Sequence, residues 1–394
     1  MFEENVEVYT QLIFEVSDEN QSHYKEPLAN DIAIAIAPRP FSKAFDTVPH
    51  DRLLHKLHHY GIRGNVLLWI SEFLENRQQS VVIDGKHSEW IHMDSGVPQG
   101  TVLGPLLFLL HINDLPDEIT SQTRLFADDC LVYKPIHSKA DQISLQNDLD
   151  KLAIWANKWG MSFNPSKCNI MSIHRSKSPY NKMYQMCGQV LSQVDKAKYL
   201  GVTISEDLEW NSHITSTASK ASRSLGFIKR NIKDCPQNLR ETAYFSLVRS
   251  LLEYSCAVWD PHYKKDTDRL ERVQRRAARF VKHDYKWNSS VTQMIRDLGW
   301  TSLAHRRKEI RLTLFYKIIH NITTVPTDDI LVKADARTRS NHPYKYKHIR
   351  TSTNNYKFSF FPRTVPEWNS LDSNTINSDN IDTYKARLKT TLSQ

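Results

Sequence analysis

Leu125-Phe126-Ala127-Asp128-Asp129-Cys130-Leu131-Val132-Tyr133 sets two adjacent carboxylates between two apolar runs. Apolar runs of this length around a short polar break read as two strands joined by a tight turn, with both acids at the turn. Like charges side by side repel unless a cation lies between them or water screens them. Two readings follow. The turn is a solvated one, since aspartate is common in turns, or it seats magnesium. That ion takes oxygen ligands and usually only one or two carboxylates together with phosphate oxygens.

Upstream, Ser95-Gly96-Val97-Pro98-Gln99-Gly100 reads as a loop entering a helix from about Leu103, with Pro105 suited to the first turn. Leu106 to Leu110 are apolar on all sides, which predicts a buried helix. Leu53, Leu54, Leu57 and Tyr60 predict an earlier helix, and Val66, Leu67, Trp69, Ile70, Phe73 and Leu74 another. Asp84-Gly85 marks a hairpin turn. Ile32, Ile34 and Ile36 alternate with alanine as in a strand, which Pro38 and Pro40 end.

Downstream, Leu145, Leu149, Leu152, Ala156 and Trp159 share one helical face. Residues 169–173 read as a strand and residues 199–204 as another. From about Trp210 to Asn321 the pattern is helical, with a boundary expected near 215. In that stretch Arg269, Arg272, Arg275, Arg276, Arg279 and Lys282 flank an apolar stripe of Leu270, Val273, Ala277 and Phe280. One face of such a helix packs, while the other is either solvated or meets phosphates. Trp287 and Trp300 read as core residues rather than as base-stacking platforms. The tail from about Thr323 is polar, although Phe358, Phe360, Phe361 and Trp368 predict one more packed element.

The chain of 394 residues is long enough for two or three domains. Its balance of 40% apolar and 24% charged residues suits a soluble globular protein. A formal charge of +8 and a pI of about 9.0 favour a polyanionic partner. The five cysteines are odd in number and not spaced as zinc ligands, so they read as reduced thiols of an intracellular protein. The acidic start lacks the features of a signal peptide, and the longest apolar run, residues 102–112, is too short to cross a bilayer.

Four segments in one order resemble a known family: Phe41-Ser42-Lys43-Ala44-Phe45-Asp46-Thr47-Val48-Pro49-His50, Ser95-Gly96-Val97-Pro98-Gln99-Gly100, Phe126-Ala127-Asp128-Asp129, and Lys167 followed by Tyr199-Leu200-Gly201. The chain is similar to the reverse transcriptases of non-LTR (LINE-type) retrotransposons of the jockey and chicken-repeat kind. The likeness runs from about residue 41 almost to the C-terminus, through Leu252-Glu253-Tyr254, Val258-Trp259-Asp260-Pro261 and the arginine-rich stretch 272–280.

The resemblance implies an α+β fold, a polymerase palm of antiparallel strands on helices followed by an all-helical thumb-like domain, with the fingers largely missing. It divides the chain into a leader at 1–39, unrelated or weakly ordered, a palm at 40–215, a thumb-like region at 216–322, and a polar C-terminal region at 323–394. It implies an RNA-directed DNA polymerase that uses RNA template, DNA primer and deoxynucleotide triphosphates with two Mg2+ ions, in cytoplasm and nucleus, away from membranes. Asp128 and Asp129 would ligate metal, and Lys167 would act on the leaving pyrophosphate. Phe45 would be the steric gate against a 2′-hydroxyl, with Ala44, Gln99 and Gly100 along the nucleotide. Tyr199, Leu200 and Gly201 would belong to the hairpin that grips the primer end, and Arg272, Arg275, Arg276 and Arg279 would contact nucleic acid.

The likeness fails at one position. The family's first motif carries an aspartate directly before the residue equivalent to Phe41, a ligand to both metals, and here Pro40 stands in its place. Asp46 lies past the expected strand, and Asp31 is too far upstream to substitute. Losing a ligand shared by two ions weakens a two-metal site. A poor or inactive polymerase is therefore expected, the alternative being a remnant that only binds RNA or RNA–DNA hybrid.

Overall fold

The computed structural model describes residues 31–37, 41, 43–174, 183–323, 325, 327, 330–334 and 344–393. Two compact units divide the chain between Tyr199 and Leu200, earlier than the boundary expected near 215.

The first unit is built on a five-stranded sheet of β1 (Asp31–Ala37), β2 (Gln122–Phe126), β3 (Asp129–Ile136), β4 (Asn169–His174) and β5 (Ser192–Gln193). Their spatial order is β5-β4-β1-β3-β2. β1 runs antiparallel to both β3 and β4, so Ile36 faces Leu131 on one side and Asn169 on the other. Residues 31–37, expected to belong to the leader, are thus the middle strand. The isoleucine–alanine alternation suits a strand flanked on both sides, and Ile34 is fully buried. Pro40, with the rest of 38–40 and residues 1–30, lies outside the described residues.

Four helices accompany the sheet: α1 (His50–His59), α2 (Gly64–Leu74), α3 (Leu103–Ile112) and α4 (Lys139–Trp159). α4 starts at a capping box between Ser138 and Asp141 and stops at Gly160, whose φ of 72° is left-handed. Leu145, Leu149, Leu152 and Ala156 bury the face its periodicity marked. α3 departs from expectation. Leu107, Phe108 and Ile112 are buried, but Leu106 and Leu109 are exposed, so only one face packs although the residues are apolar all round. The Asp84-Gly85 hairpin forms as expected, with both residues at positive φ.

Between α1, α3 and α4 lies a buried cation. Lys56 Nζ donates to His111 O at 2.5 Å and to the Asp114 carboxylate, and it sits 3.8 Å from the Trp159 ring centroid. Burial lowers the Lys56 pKa to about 8. The folded value lies below the unfolded one, so between about pH 8 and 10.5 the unfolded chain holds more protons. Stability relative to Lys56→Met is therefore expected to rise with pH across that window, by up to about 1.4 kcal/mol per unit. Urea unfolding of both proteins at several pH values measures it, and a constant difference would sink the expectation.

The second unit is helical, as its periodicity predicts. Its main helices are α5 (Asn211–Asn231), α6 (Lys264–Lys282), α7 (Leu303–Ile319) and α8 (Phe360–Asn369). α6 buries Leu270, Val273, Ala277 and Phe280 and turns Arg272, Arg275 and Arg276 outward. α8 is the packed element expected in the tail, with Phe360, Phe361 and Trp368 buried. Trp300 stacks on Tyr244 with ring centroids 4.6 Å apart. Trp287 contradicts its core assignment, being 93% exposed.

A buried ion cluster ties α7 and α8 to the segment Cys256–Trp259 that precedes Asp260. Arg307 Nε donates to Asp260 Oδ1 at 2.7 Å, and Arg311 donates to Oδ2 of the same carboxylate. Arg363 Nη2 lies 3.2 Å from Asp260 Oδ2, and Arg311 Nη2 donates to Glu367 Oε2 at 2.6 Å. Arg307 and Arg311 are each 1% exposed.

Candidate active site

β2 and β3 form the acidic hairpin, pairing Phe126 with Asp129. Asp128 occupies the two-residue turn with Ala127, and Asp129 opens β3 rather than sharing the turn. Ala127 has φ 48°, a left-handed conformation that costs an alanine about 1–3 kcal/mol. Among these connections, the tight turn suits a positive φ at its first central residue. Both aspartates are partly exposed. Cys130, next in the strand, points into the core, where burial pushes its thiol pKa up to about 12.

β3 and β4 flank β1 and start at the same end of the sheet. In the row through Ile36, Asp129 precedes Leu131 by two residues, and Lys167 precedes Asn169 by two. One intervening strand corresponds to roughly 10 Å between the flanking backbones. Lys167 ends a short 3-10 turn, Pro165–Lys167, capped by the Asn164 side chain, and is exposed. The sheet therefore gathers Asp128, Asp129 and Lys167 at the end where β1 terminates at Ala37.

Phe45 and Gln99 are brought together by a clasp between two loops. Val97 N donates to Phe45 O at 2.7 Å, Gly96 N to Val48 O at 2.8 Å, and Ser95 Oγ to Asp46 O at 2.9 Å. Gln99 Nε2 donates to Asp46 Oδ1 at 2.8 Å, and His50 Nε2 bonds Gly96 O at 2.8 Å. Gly96 is required sterically, since a Cβ there would lie 2.7 Å from Asp46 Cα. The Phe45 ring stacks on Phe108 with centroids 4.3 Å apart, and Ala44 is buried beneath. Gly100 is exposed at φ 80° with open space where a Cβ would be, so backbone conformation rather than crowding is what demands glycine there. One hydrophobic cluster runs from Phe41, Ala44 and Val97 through Phe108 to Cys130 and Val132, joining the clasp and the acidic hairpin to a shared core.

Asp46, a motif residue expected to lie too far along the chain to ligate metal, has another partner. Its carboxylate instead holds the Gln99 amide. Gly96 and His50 were legible as motif residues, but their partners are separated by dozens of positions and gave no local signal.

Among the described residues, no group of three His, Cys, Asp or Glu side chains could hold a metal ion. The adjacent carboxylates Asp128 and Asp129 fit one magnesium ion shared with phosphate oxygens. They do not by themselves fit two.

Tyr199, Leu200 and Gly201, a strand by hydropathy and a hairpin by the family resemblance, contain a turn. The strands Lys196–Tyr199 and Val202–Ser205 end and begin around Leu200 at φ 44° and Gly201 at φ 85°. Tyr199 is buried. Within the second unit Tyr254 Oη donates to Leu200 O at 2.9 Å, and a Cβ on Gly201 would lie 2.9 Å from the Tyr254 ring.

Four of the five arginines of α6, those expected to contact nucleic acid, differ in their surroundings. Arg272, Arg275 and Arg276 are exposed, with Arg276 Nη2 donating to Ser222 Oγ at 2.6 Å. Arg279 is half-buried and donates to the carbonyls of Asp284, Lys286 and Ser289. No helix among the described residues is long and apolar enough to cross a membrane. All five cysteines are free thiols.

The family described as reverse transcriptase (RNA-dependent DNA polymerase) matches residues 40–204. A probable RNA-directed DNA polymerase from transposon BS of Drosophila melanogaster is 28% identical over 276 residues, which is 65% of this chain and 30% of that protein. The RNA-directed DNA polymerase from mobile element jockey of the same species is 27% identical over 326 residues, covering 78% and 35%. Its counterpart in Drosophila funebris is 32% identical over 183 residues, covering 44% and 20%. The chain spans about a third or less of the length of these relatives.

Proposed function

We propose, for a chain whose residues 40–204 are a reverse transcriptase domain of the non-LTR retrotransposon type, a polymerase module that engages RNA template, DNA primer and deoxynucleotide triphosphate but extends the primer poorly. The observation that carries this reading is the convergence of Asp128, Asp129 and Lys167 at one sheet end, on the core that also carries the Phe45–Gln99 clasp.

DNA synthesis joins the primer 3′-oxygen to the α-phosphorus of the nucleotide and releases pyrophosphate. Asp128 and Asp129 would hold magnesium, which when bound neutralises triphosphate charge and activates the attacking oxygen. Lys167 offers a cation or a proton to the departing pyrophosphate. The Phe45 ring, fixed against Phe108, sets the wall that a 2′-hydroxyl would strike. Gln99 and the open face of Gly100 lie along the nucleotide, with the Gln99 amide oriented by Asp46. The Leu200-Gly201 turn, braced by Tyr254, supports the primer end. Arg272, Arg275, Arg276 and Arg279 line the surface offered to phosphates.

The donor set supports a second reading, a remnant that binds without chemistry, because Pro40 removes the acid shared by two ions and two adjacent carboxylates fit a single ion. Primer extension by the purified chain on an RNA template separates the two. The polymerase reading expects slow, magnesium-dependent extension that falls at least about tenfold in Asp128→Ala, a loss of about 1.4 kcal/mol of transition-state stabilisation. Extension indistinguishable from that of the variant, with salt-sensitive binding retained, leaves the remnant. Absence of salt-sensitive nucleic-acid binding sinks both.

A further inference from the structure

We propose that the loop following α6 is a stacking platform for an unpaired base, so that the second unit binds single-stranded nucleic acid alongside its arginine groove. This rests on the groove itself being a nucleic-acid surface.

The groove, ≈ 810 Å³, runs between α5 and α6. Arg272, Arg275 and Arg276 line it from α6, and Thr215, Ser219 and Ser222 face them from α5. Guanidinium forks beside hydroxyl groups suit phosphate oxygens. At one end the groove meets residues 284–289 through Arg279. Its Nη1 donates to Lys286 O at 3.0 Å and its Nη2 to Ser289 O at 3.4 Å. Asp284 N donates back to Arg279 O at 3.1 Å, and Lys286 N donates to Asp284 Oδ1 at 3.0 Å. The loop is thus held from both sides.

What this fixed loop presents is aromatic. Trp287 is 93% exposed and Tyr285 53%. An indole can bury roughly 150–250 Å², and here almost none is covered by the chain. A loop tied down by five or so hydrogen bonds has no conformational reason to leave its tryptophan outside. Lys229 Nζ stands 5.0 Å from the Tyr285 ring centroid, and Arg276 is close enough to help lower the Lys229 pKa, after desolvation. The one acid of the loop, Asp284, turns its carboxylate to Ser289 and the Lys286 amide, which hold its pKa low.

Cations for phosphates and an uncovered ring for a base face form the two parts of single-strand recognition. Bases inside a duplex are already stacked on each other and offer such a face only at its ends. Lys229 beside Tyr285, with Arg276 near it, also argues against an apolar protein partner. The ligand is therefore a strand with at least one unstacked base.

Fluorescence anisotropy on the full chain tests this with three labelled probes of about 10 nucleotides: a single strand, the same strand with abasic positions, and a blunt duplex. Trp287→Ala is expected to weaken the single strand about tenfold or more, leave the duplex within about twofold, and erase the preference over the abasic strand. Trp287→Phe should restore most of the loss. Arg272→Ala with Arg276→Ala should weaken single strand and duplex alike and flatten their salt dependence. Unchanged single-strand affinity in Trp287→Ala, or an equal loss on duplex, overturns the platform while leaving the groove. Displacement of the strand by an acidic polypeptide as readily as by unlabelled strand also overturns it. Failure of the wild-type chain to bind any probe overturns the groove reading and the platform together.

Discussion

Replacing Pro40 with aspartate is expected to raise magnesium-dependent primer extension by about 100-fold or more. Proline brings no carboxylate and no backbone N–H to the residue before Phe41. β1 ends at Ala37 opposite Cys130, one residue along β3 from Asp129, so the chain leaves the sheet at the level of the acidic hairpin. By the family resemblance, a carboxylate directly before Phe41 supplies the ligand a second ion needs. Metal stabilisation of transition-state charge is worth several kcal/mol, and each 1.36 kcal/mol is a factor of ten in rate. Pro40→Asn is the control, since it restores the N–H without the charge. Equal rates for the two variants would mean that the missing acid is not what limits the chain.

Asp260→Ala is expected to destabilise the second unit by about 3–5 kcal/mol. The loss comes less from the vanished attraction than from what stays behind. Arg307 and Arg311 would remain in the interior without the carboxylate that both engage, Arg311 keeping only Glu367 and Arg363 only the backbone carbonyl of residue 260. For a unit of this size each kcal/mol moves the melting temperature by about 2–4 °C, so a fall near 10 °C or more is anticipated. Urea unfolding with an unchanged m-value confirms that the folded state, not the unfolded one, is affected. A loss under about 1 kcal/mol would show that water reaches the cluster and that burial is shallower than the geometry indicates.

The acidic hairpin was legible because its pattern is local: apolar run, two acids, apolar run. The Gln99 loop and Phe45 were legible as motifs, but not as partners, since the Asp46–Gln99 bond spans 53 positions. The strand at 31–37 was readable by alternation, yet its place in the middle of the sheet was not. Nothing within seven residues says which strands will flank it. At Leu200-Gly201 hydropathy alone reads as strand because both neighbours are β-formers; the turn, set by backbone φ, is legible only through the family motif. Arg307 and Arg311 sit in a stretch that looks like a solvated basic helix, and only Asp260, far upstream, makes their burial tolerable. Trp287 failed in the opposite sense. Aromatic residues are usually interior, and that expectation holds for Trp300 but not for a loop whose hydrogen bonds face inward and whose ring faces out.

The order in which the sheet is threaded has a consequence for synthesis. The strand at its centre leaves the ribosome first, but its two flanking partners are the third and fourth made, and the last of them ends at His174. Until then the nascent polypeptide carries an isoleucine-rich ribbon with at least one open edge, the kind of surface that recruits other chains. Messages truncated before codon 174 would yield sticky fragments rather than smaller working units.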